Sequence, residues 1–383
     1  MKKILIVNNN LHMGGVQKAL VNLLWSIRGN YEITLLLFYD GGILRNEIPP
    51  EVQVISPNSA YRWLGMNRHD VKGKPFDLIM RSFFATITKL FGRKVAVSLM
   101  KLTQKNISGF DAAISYLHNS SPNSFYGGCN EFVLNHVSAE RKIAFLHCDY
   151  DLSGANKGNA ESYAHFDRIV ACSQGCADSF LRHNPQLKEK LFVVRNCHRF
   201  EQICSLAEHE ATAPQGDKLH VVTVARLSPE KGIDRALEAI CGLNLHYTII
   251  GDGKERAKLV QMIAEYGMSE QVTLLGELSN PYPAMKQADL LLIPSLHEAA
   301  PLVIDEAACL GTPILTTRTC SAEEMVQHRD FGWVCDNSAE CLHLALQKIL
   351  KNPNLLAARR EWLHHQLFSN NEAVRQFHDL IER

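Results

Sequence analysis

A regular alternation of short apolar runs with stretches of helical pattern limits what this chain can fold into. Apolar runs fall at residues 4–8, 31–38, 112–116, 143–147, 168–173 and 192–195, and a helical pattern spans 16–28. Runs this short, separated by amphipathic stretches, read as buried parallel strands joined by helical crossovers, the βαβ unit. Around residues 201–218 the chain turns polar and contains Ala213-Pro214-Gln215-Gly216-Asp217, the composition of a linker. The alternation restarts at 221–225, 247–250, 272–275, 290–294, 314–316 and 332–335. The reading is an α/β chain of two doubly wound halves, 1–200 and 201–360. A tail over 361–383, the end of a helical stretch from 355, is expected to pack back on the first half. A length of 383 residues agrees with two cores rather than one. Sheets of this kind bind ligands beyond the carboxyl ends of their strands, so two facing halves predict a cleft lined by strand-end loops.

Composition removes several classes of function. With 46% hydrophobic and 21% charged residues, the chain can fill packed cores and is no disordered tail. The formal net charge is zero, so no overall field draws nucleic acid. No run of about 18 apolar residues occurs, which argues against a membrane-spanning helix. Met1-Lys2-Lys3-Ile4-Leu5-Ile6-Val7 reads as a first strand rather than a secretory signal. The 11 cysteines are dispersed and form no CxxC pair, and the nearest two, Cys172 and Cys176, have no histidines at zinc spacing. That usage suits a reducing cytoplasm, and no metal site is expected.

Chemistry-bearing side chains concentrate after the apolar runs. Glu298 and Glu306 lie eight residues apart in Ser295-Leu296-His297-Glu298-Ala299-Ala300-Pro301-Leu302-Val303-Ile304-Asp305-Glu306. Pro301 suits the first turn of a helix, where its missing N–H costs nothing. Glu298 then belongs to the strand-end loop, while Glu306 shares a helical face with Leu302 and Leu310. A carboxylate on an apolar stripe needs donors, and paired sugar hydroxyls are suitable ones. The plainer alternative is two solvated acids near a helix start. In Val224-Ala225-Arg226-Leu227-Ser228-Pro229-Glu230-Lys231-Gly232, Arg226 and Lys231 occupy another strand end. Arg offers a planar fork of donors and Lys a point charge, both matched to diphosphate oxygens; an interdomain ion pair is the alternative.

In Asn8-Asn9-Asn10-Leu11-His12-Met13-Gly14-Gly15-Val16, the paired glycines let backbone amides approach an anion at a helix start, or merely form a turn. Asp40 follows the second run where a ribose-binding acid of a dinucleotide site belongs. Yet neither Gly14-Gly15 nor Gly251-Asp252-Gly253 completes G-x-G-x-x-G, which disfavours a nicotinamide enzyme. His147 closes another apolar run and is either a substrate contact or a structural histidine. No Ser/His/Asp order, metal cluster or Walker loop occurs. Between Arg62 and Lys105, ten basic residues stand against Asp70 and Asp77 and are mixed with Phe83, Phe84 and Phe91. Such a segment can rest on an anionic bilayer surface; alternatively it buries the three phenylalanines in the core.

Together the Gly14-Gly15 loop, His147, Arg226 with Lys231-Gly232, Gly251-Asp252-Gly253 and Glu298-x7-Glu306 resemble the family-4 retaining glycosyltransferases, group 1 glycosyl transferases of GT-B fold. The likeness is strongest over 221–317 and weakest over 60–105. It implies two Rossmann-like domains, the first on the acceptor side and the second holding a nucleotide-diphosphate sugar, UDP- or GDP-linked. By motif match, Arg226 and Lys231 bind the diphosphate and Glu306 the ribose. Glu298 contacts the transferred sugar, and backbone amides at Ala299, Ala300, Leu302 and Val303 add donors. Gly14 and Gly15 approach the diphosphate, and His147 touches sugar or acceptor. The resemblance implies no metal and no cofactor, and attack on the face the diphosphate leaves, with Glu298 a charge-stabilising group. Ala299-Ala300-Pro301 stands where many relatives carry Gly and Phe after the first Glu, which leaves donor choice open.

The expectation is therefore a cytoplasmic glycosyltransferase building a surface glycan such as capsule, exopolysaccharide or lipopolysaccharide. The basic segment adds a lipid-linked acceptor and peripheral contact with the inner membrane face. Two rivals stand beside it. A nucleotide-sugar epimerase of the same fold would convert donor without acceptor. A non-catalytic sugar-binding protein would be indifferent to Glu298→Gln.

Overall fold

The computed structural model describes residues 1–156, 160–209 and 218–382. They form two compact units, 1–197 with 370–383, and 198–369.

The first unit holds β1 (Lys3–Asn8), β2 (Glu32–Leu37), β3 (Gln53–Ile55), β4 (Ile107–Ser115), β5 (Val137–Leu146), β6 (Arg168–Ala171) and β7 (Leu191–Val193). They make one parallel sheet ordered β3-β2-β1-β4-β5-β6-β7. Ile4, Leu5, Ile6 and Val7 are fully buried on alternating faces, because helices cover both sides of a parallel sheet. The chain runs outward from β1 in one direction through β2 and β3, then reverses to β4. The Asn9–Gly15 stretch and the turn after β4 therefore flank a topological switch point.

The second unit holds β8 (Leu219–Val224), β9 (Leu245–Ile250), β10 (Val272–Gly276), β11 (Leu290–Ile293), β12 (Ile314–Thr317) and β13 (Gly332–Cys335). Their order is β10-β9-β8-β11-β12-β13, again all parallel. Here the reversal lies between β8 and β11, with Leu290 beside Val221 and Leu291 beside Val222. Two apolar clusters, one containing Ile233, Leu237 and Leu346 and the other Ile304, Ala307 and Leu363, cover this sheet.

Two expected boundaries move. The first unit ends at residue 197, not 200, and the polar stretch from 201 does not connect the domains. Its beginning is the helix Phe200–Leu206, whose Ile203 joins Ile304 and Ala307 in a core of the second unit. Residues 213–217, read as linker, lie outside the described residues. At the other end the boundary is 369/370 rather than 360/361. The helix Asn354–His364 belongs to the second unit, where Leu363 is buried. The last helix, Asn371–Glu382, places Ala373, Phe377, Leu380 and Ile381 in the core of the first unit. Lys2 and Arg141 donate to the Ile381 carbonyl and Arg168 to that of Leu380. Cations thus satisfy the carbonyl end of this helix, where its dipole favours them.

Residues 62–105 fold as a short helix, Arg62–Gly65, and a hairpin of helices Pro75–Phe91 and Arg93–Lys101. The alternative reading, burial of all three phenylalanines, holds for Phe84 alone, which stacks on Trp63; Phe83 is 50% and Phe91 67% exposed. Phe76, Ile79, Phe83 and Leu90 are all exposed and fall on one stripe of the first helix. Val95, Leu99 and Leu102 extend exposed apolar surface along and just past the second. No helix among the described residues is long and apolar enough to cross a membrane.

Candidate functional site

The switch point of the second unit gathers the charged motif residues. The loop after β8 carries Arg226 and Lys231, and the loop after the neighbouring β11 carries Glu298. Lys231 Nζ lies 2.6 Å from Glu298 Oε1, and Ser295 Oγ donates to the same oxygen at 2.6 Å. The pair is sheltered, with side chains 22% and 11% exposed. Arg226 is different. Its side chain is 69% exposed and meets Glu230 at 2.8 Å, four residues on. The ion pairs of these two cations thus lie within one domain, contrary to the interdomain alternative. Burial pushes the Glu230 carboxyl up, but hydrogen bonds from Ser228, its own backbone and Arg226 prevail and bring it down to about 2.

Backbone packing explains why the Gly251-Asp252-Gly253 sequence accompanies Arg226. A Cβ on Gly251, at φ +141°, would stand 1.9 Å from the Ala225 carbonyl oxygen, and one on Gly253 would stand 2.2 Å from that of Leu227. The turn after β9 therefore lies directly on the main chain either side of Arg226. Two bonds lock it there, Leu227 N to Asp252 O at 2.9 Å and Glu255 N to Leu227 O at 3.1 Å. Gly232 plays the same part beside Lys231, where a Cβ would meet the Pro294 carbonyl at 2.3 Å.

The loop bearing Glu298 is anchored from the next strand, where Thr317 Oγ1 donates to Ser295 O at 2.6 Å. The helix after it runs Leu302–Cys309, so Pro301 occupies the capping position rather than the first turn. No side chain caps this helix, and its first amides, including those of Leu302 and Val303, sit beside the half-buried Ala299 and Ala300. Glu306 is 3% exposed, on the face it shares with Leu302 and Leu310 as the sequence predicts. The solvated-acid alternative fails for it. The adjacent Asp305 is also buried, held well below the usual carboxylate range. Burial pushes it up, but His198 and Arg329 outweigh that, with Arg329 at 2.7 Å.

The first unit has its own strand-end cluster. The helix Gly15–Ile27 starts at the paired glycines with no side-chain cap. Nothing lies within 4 Å of a Cβ built on Gly15, so the domain's own packing does not demand glycine there. Asn8, Asn9 and Asn10 are buried and act as internal ties: Asn9 donates to the carbonyls of Leu64 and Gly127, and Asn10 to that of Gly65. His147, following β5, packs against Tyr116 and Phe145 with its Nε2 buried and lacking a hydrogen-bond partner.

Residues that the motifs did not single out complete this geometry. Ser295 and Glu230 hold the two cations' environments, and only their adjacency to Glu298 and Lys231 in sequence could have pointed to them. His118, after β4, carries a buried Nδ1 without a hydrogen-bond partner. Burial, then Arg93, lowers His118 to about 4; burial, then His118, lowers His147 to about 3. Both folded values lie below the unfolded value of roughly 6.5, so the unfolded chain binds more protons between those limits. Their contribution to stability is complete above pH 6.5 and is lost as pH falls toward 4 and 3. The melting temperature is expected to drop between pH 6.5 and 4, and the double variant His118→Asn/His147→Asn to drop less. An equally steep decline in that variant would assign the acid sensitivity elsewhere.

Two parallel, doubly wound domains with their polar loops at the strand carboxyl ends define the architecture of GT-B glycosyltransferases. Solved structures with this fold align over the whole chain. Anabaena Alr3699/HepE in complex with UDP and glucose covers 100% of this chain and 99% of its own, with a TM-score of 0.68 at 18% identity. WaaG, a glycosyltransferase involved in lipopolysaccharide biosynthesis, covers 99% of both chains, with a TM-score of 0.59 at 16% identity. Residues 206–362, the part holding Arg226, Lys231, Glu298 and Glu306, match the family model of glycosyl transferases group 1. Among curated proteins, the chain is 30% identical over 186 residues to the amylovoran biosynthesis glycosyltransferase AmsK of Erwinia amylovora, covering 43% of this chain and 45% of AmsK. It is 29% identical over 211 residues to a GDP-mannose-dependent phosphatidylinositol dimannoside mannosyltransferase of Mycobacterium tuberculosis, covering 52% of this chain and 53% of that one. The matches thus span about half the length of these curated relatives.

Proposed function

We propose that this chain is a retaining glycosyltransferase that moves a sugar from a nucleotide-diphosphate donor onto a growing surface glycan. The observation that carries the proposal is the meeting of Lys231 and Glu298 at the switch point of the domain that matches the family model. In this reading Arg226 and Lys231 neutralise the donor diphosphate, with no metal required, and Glu306 takes the ribose hydroxyls. Glu298 faces the transferred sugar, and the uncapped amides at Leu302 and Val303 add donors, with Ala299 and Ala300 beside them. Gly14, Gly15 and His147 act from the first domain. Binding of UDP by the Anabaena protein supports a UDP-linked donor, and the dependence of the mycobacterial enzyme on GDP-mannose keeps GDP in the screen. The epimerase reading is not favoured by these relatives, which are transferases by name.

The acceptor is proposed to be lipid-linked, on the inner face of the cytoplasmic membrane. Support comes from the hairpin over residues 75–101, whose exposed apolar stripe is flanked by Lys74, Lys89, Lys94 and Lys101. Cations beside insertable apolar groups are the combination that anionic bilayers attract.

Thermal-shift measurement tests the donor site. A nucleotide diphosphate at 100 times its Kd stabilises the folded state by about 2.7 kcal/mol. UDP or GDP is expected to raise the melting temperature of the wild type and to leave Arg226→Ala/Lys231→Ala unmoved. An equal rise in both proteins would remove these cations from the site.

A further inference from the structure

His12 is restrained from three sides, more than a turn residue needs. Its main chain is pressed by the loop after β2: a Cβ on Gly42, at φ +115°, would stand 2.2 Å from His12 N, and Leu11 N donates to Gly41 O at 2.9 Å. Its amide donates to Asn10 Oδ1 at 3.2 Å. Its ring is fixed by Asp70, whose Oδ2 lies 2.8 Å from Nε2, with Asn67 Nδ2 at 3.1 Å. Asn67 is itself oriented, because its Oδ1 accepts from the amides of His69 and Asp70.

The carboxylate decides which ring nitrogen carries the proton. It only accepts, and at 2.8 Å its charge outweighs the Asn67 amide, itself a donor 3.1 Å from the same nitrogen, so Nε2 donates to Asp70 and Nδ1 is left with a lone pair. Nδ1 has no hydrogen-bond partner among the described residues, and it is not among the buried polar atoms of this half-buried side chain. The result is a fixed hydrogen-bond acceptor beside the Gly14-Gly15 turn, at the switch point of the first domain. The Asp70 carboxylate behind the ring suits a hydroxyl donor at Nδ1 and opposes a phosphate.

Resting on the glycosyltransferase reading, we infer that His12 is an acceptor-recognition residue, taking a hydrogen bond from a hydroxyl of the glycan acceptor at Nδ1, with Asp70 as its positioning residue. The Gly14-Gly15 amides and His12 then divide the β1 loop between anion and hydroxyl. The probe is a panel of octyl glycosides, with Kd measured by saturation-transfer NMR beside UDP affinity and melting temperature. One such hydrogen bond is worth about tenfold in Kd. His12→Ala is expected to weaken glycoside binding by about that factor with UDP affinity unchanged. His12→Asn, whose Oδ1 stands near the position of Nδ1, is expected to recover most of the loss. Equal glycoside Kd in wild type and His12→Ala overturns the assignment, as does a panel that the wild type does not bind. Parallel loss of UDP affinity overturns it too, by making His12 a diphosphate contact. Equal losses in both variants that track melting temperature reduce the network to a structural tie. Failure of the wild type to bind UDP or GDP would instead remove the functional reading, leaving the glycoside comparison interpretable by itself.

Discussion

Replacing Glu298 by Gln is expected to lower kcat for sugar transfer by about 10²- to 10³-fold, the scale on which a single charge-stabilising group acts in a transition state. The fold should be little affected. Gln keeps the shape and one acceptor oxygen, so the bond from Ser295 Oγ, now 2.6 Å, can persist. The Lys231 contact weakens from charge–charge to charge–dipole, which at a partly exposed ammonium costs about 1 kcal/mol. The large effect belongs to the reaction. In the free protein Lys231 and Glu298 neutralise one another at 2.6 Å. In the proposed reaction, a donor presenting an anionic diphosphate to Lys231 would compete for that ammonium and release the carboxylate where positive charge would develop on the transferred sugar. The variant retains the diphosphate cation and loses the carboxylate, so kcat should fall with donor KM nearly constant. Initial rates at saturating donor, read beside the melting temperature, check this. Wild-type turnover would remove Glu298 from the chemistry.

This pairing also marks where sequence reading stops. Twelve of the strands announce themselves, because a strand buried on both faces must be an apolar run, as in Ile4-Leu5-Ile6-Val7 and Leu290-Leu291-Leu292-Ile293. The one missed, β3, is a three-residue edge strand, Gln53-Val54-Ile55, with only two apolar residues, whereas the equally short edge strand β7 is wholly apolar. The order of chemistry-bearing segments is legible for a related reason: each follows an apolar run, so each must lie on the carboxyl edge of a sheet. Their contacts are not legible. Lys231 and Glu298 are 67 residues apart and meet only because β8 and β11 are neighbours. Nothing in residue spacing specifies that adjacency. His12 and Asp70 illustrate the same limit across 58 residues. Polarity over 201–218 looks like a linker, although the division between units falls at 197/198. A helix such as Phe200–Leu206 that buries only Ile203 fully looks much the same in composition.

The hairpin supplies the second large effect, because the structure leaves exposed two of the phenylalanines that the amphipathic sequence could have buried. The same residues 83, 84 and 91 could face inward or outward; with Phe84 inward, Phe83 and Phe91 are left at 50% and 67% exposure. Solvating an unbroken apolar stripe of Phe76, Ile79, Phe83 and Leu90 is unfavourable, and a surface that covers it gains what water loses. At roughly 1 kcal/mol per half-inserted side chain, below the 1.5–3 kcal/mol of full burial, four such residues supply about 4 kcal/mol. That corresponds to about 10³-fold in partitioning. The lysines beside them add about 1 kcal/mol each near an anionic surface, a contribution that salt screens. In liposome flotation the wild type is expected to rise with vesicles containing anionic lipid. Ile79→Ser/Phe83→Ser/Leu90→Ser is expected to remain in the lower fraction with its melting temperature retained, since all three side chains already face solvent. Raised salt should weaken wild-type binding without abolishing it, because the apolar contribution is not screened. Wild type that stays with the lower fraction at low salt removes the membrane. A concentration-dependent dimer that the triple variant cannot form would then assign the stripe to a second copy of the chain.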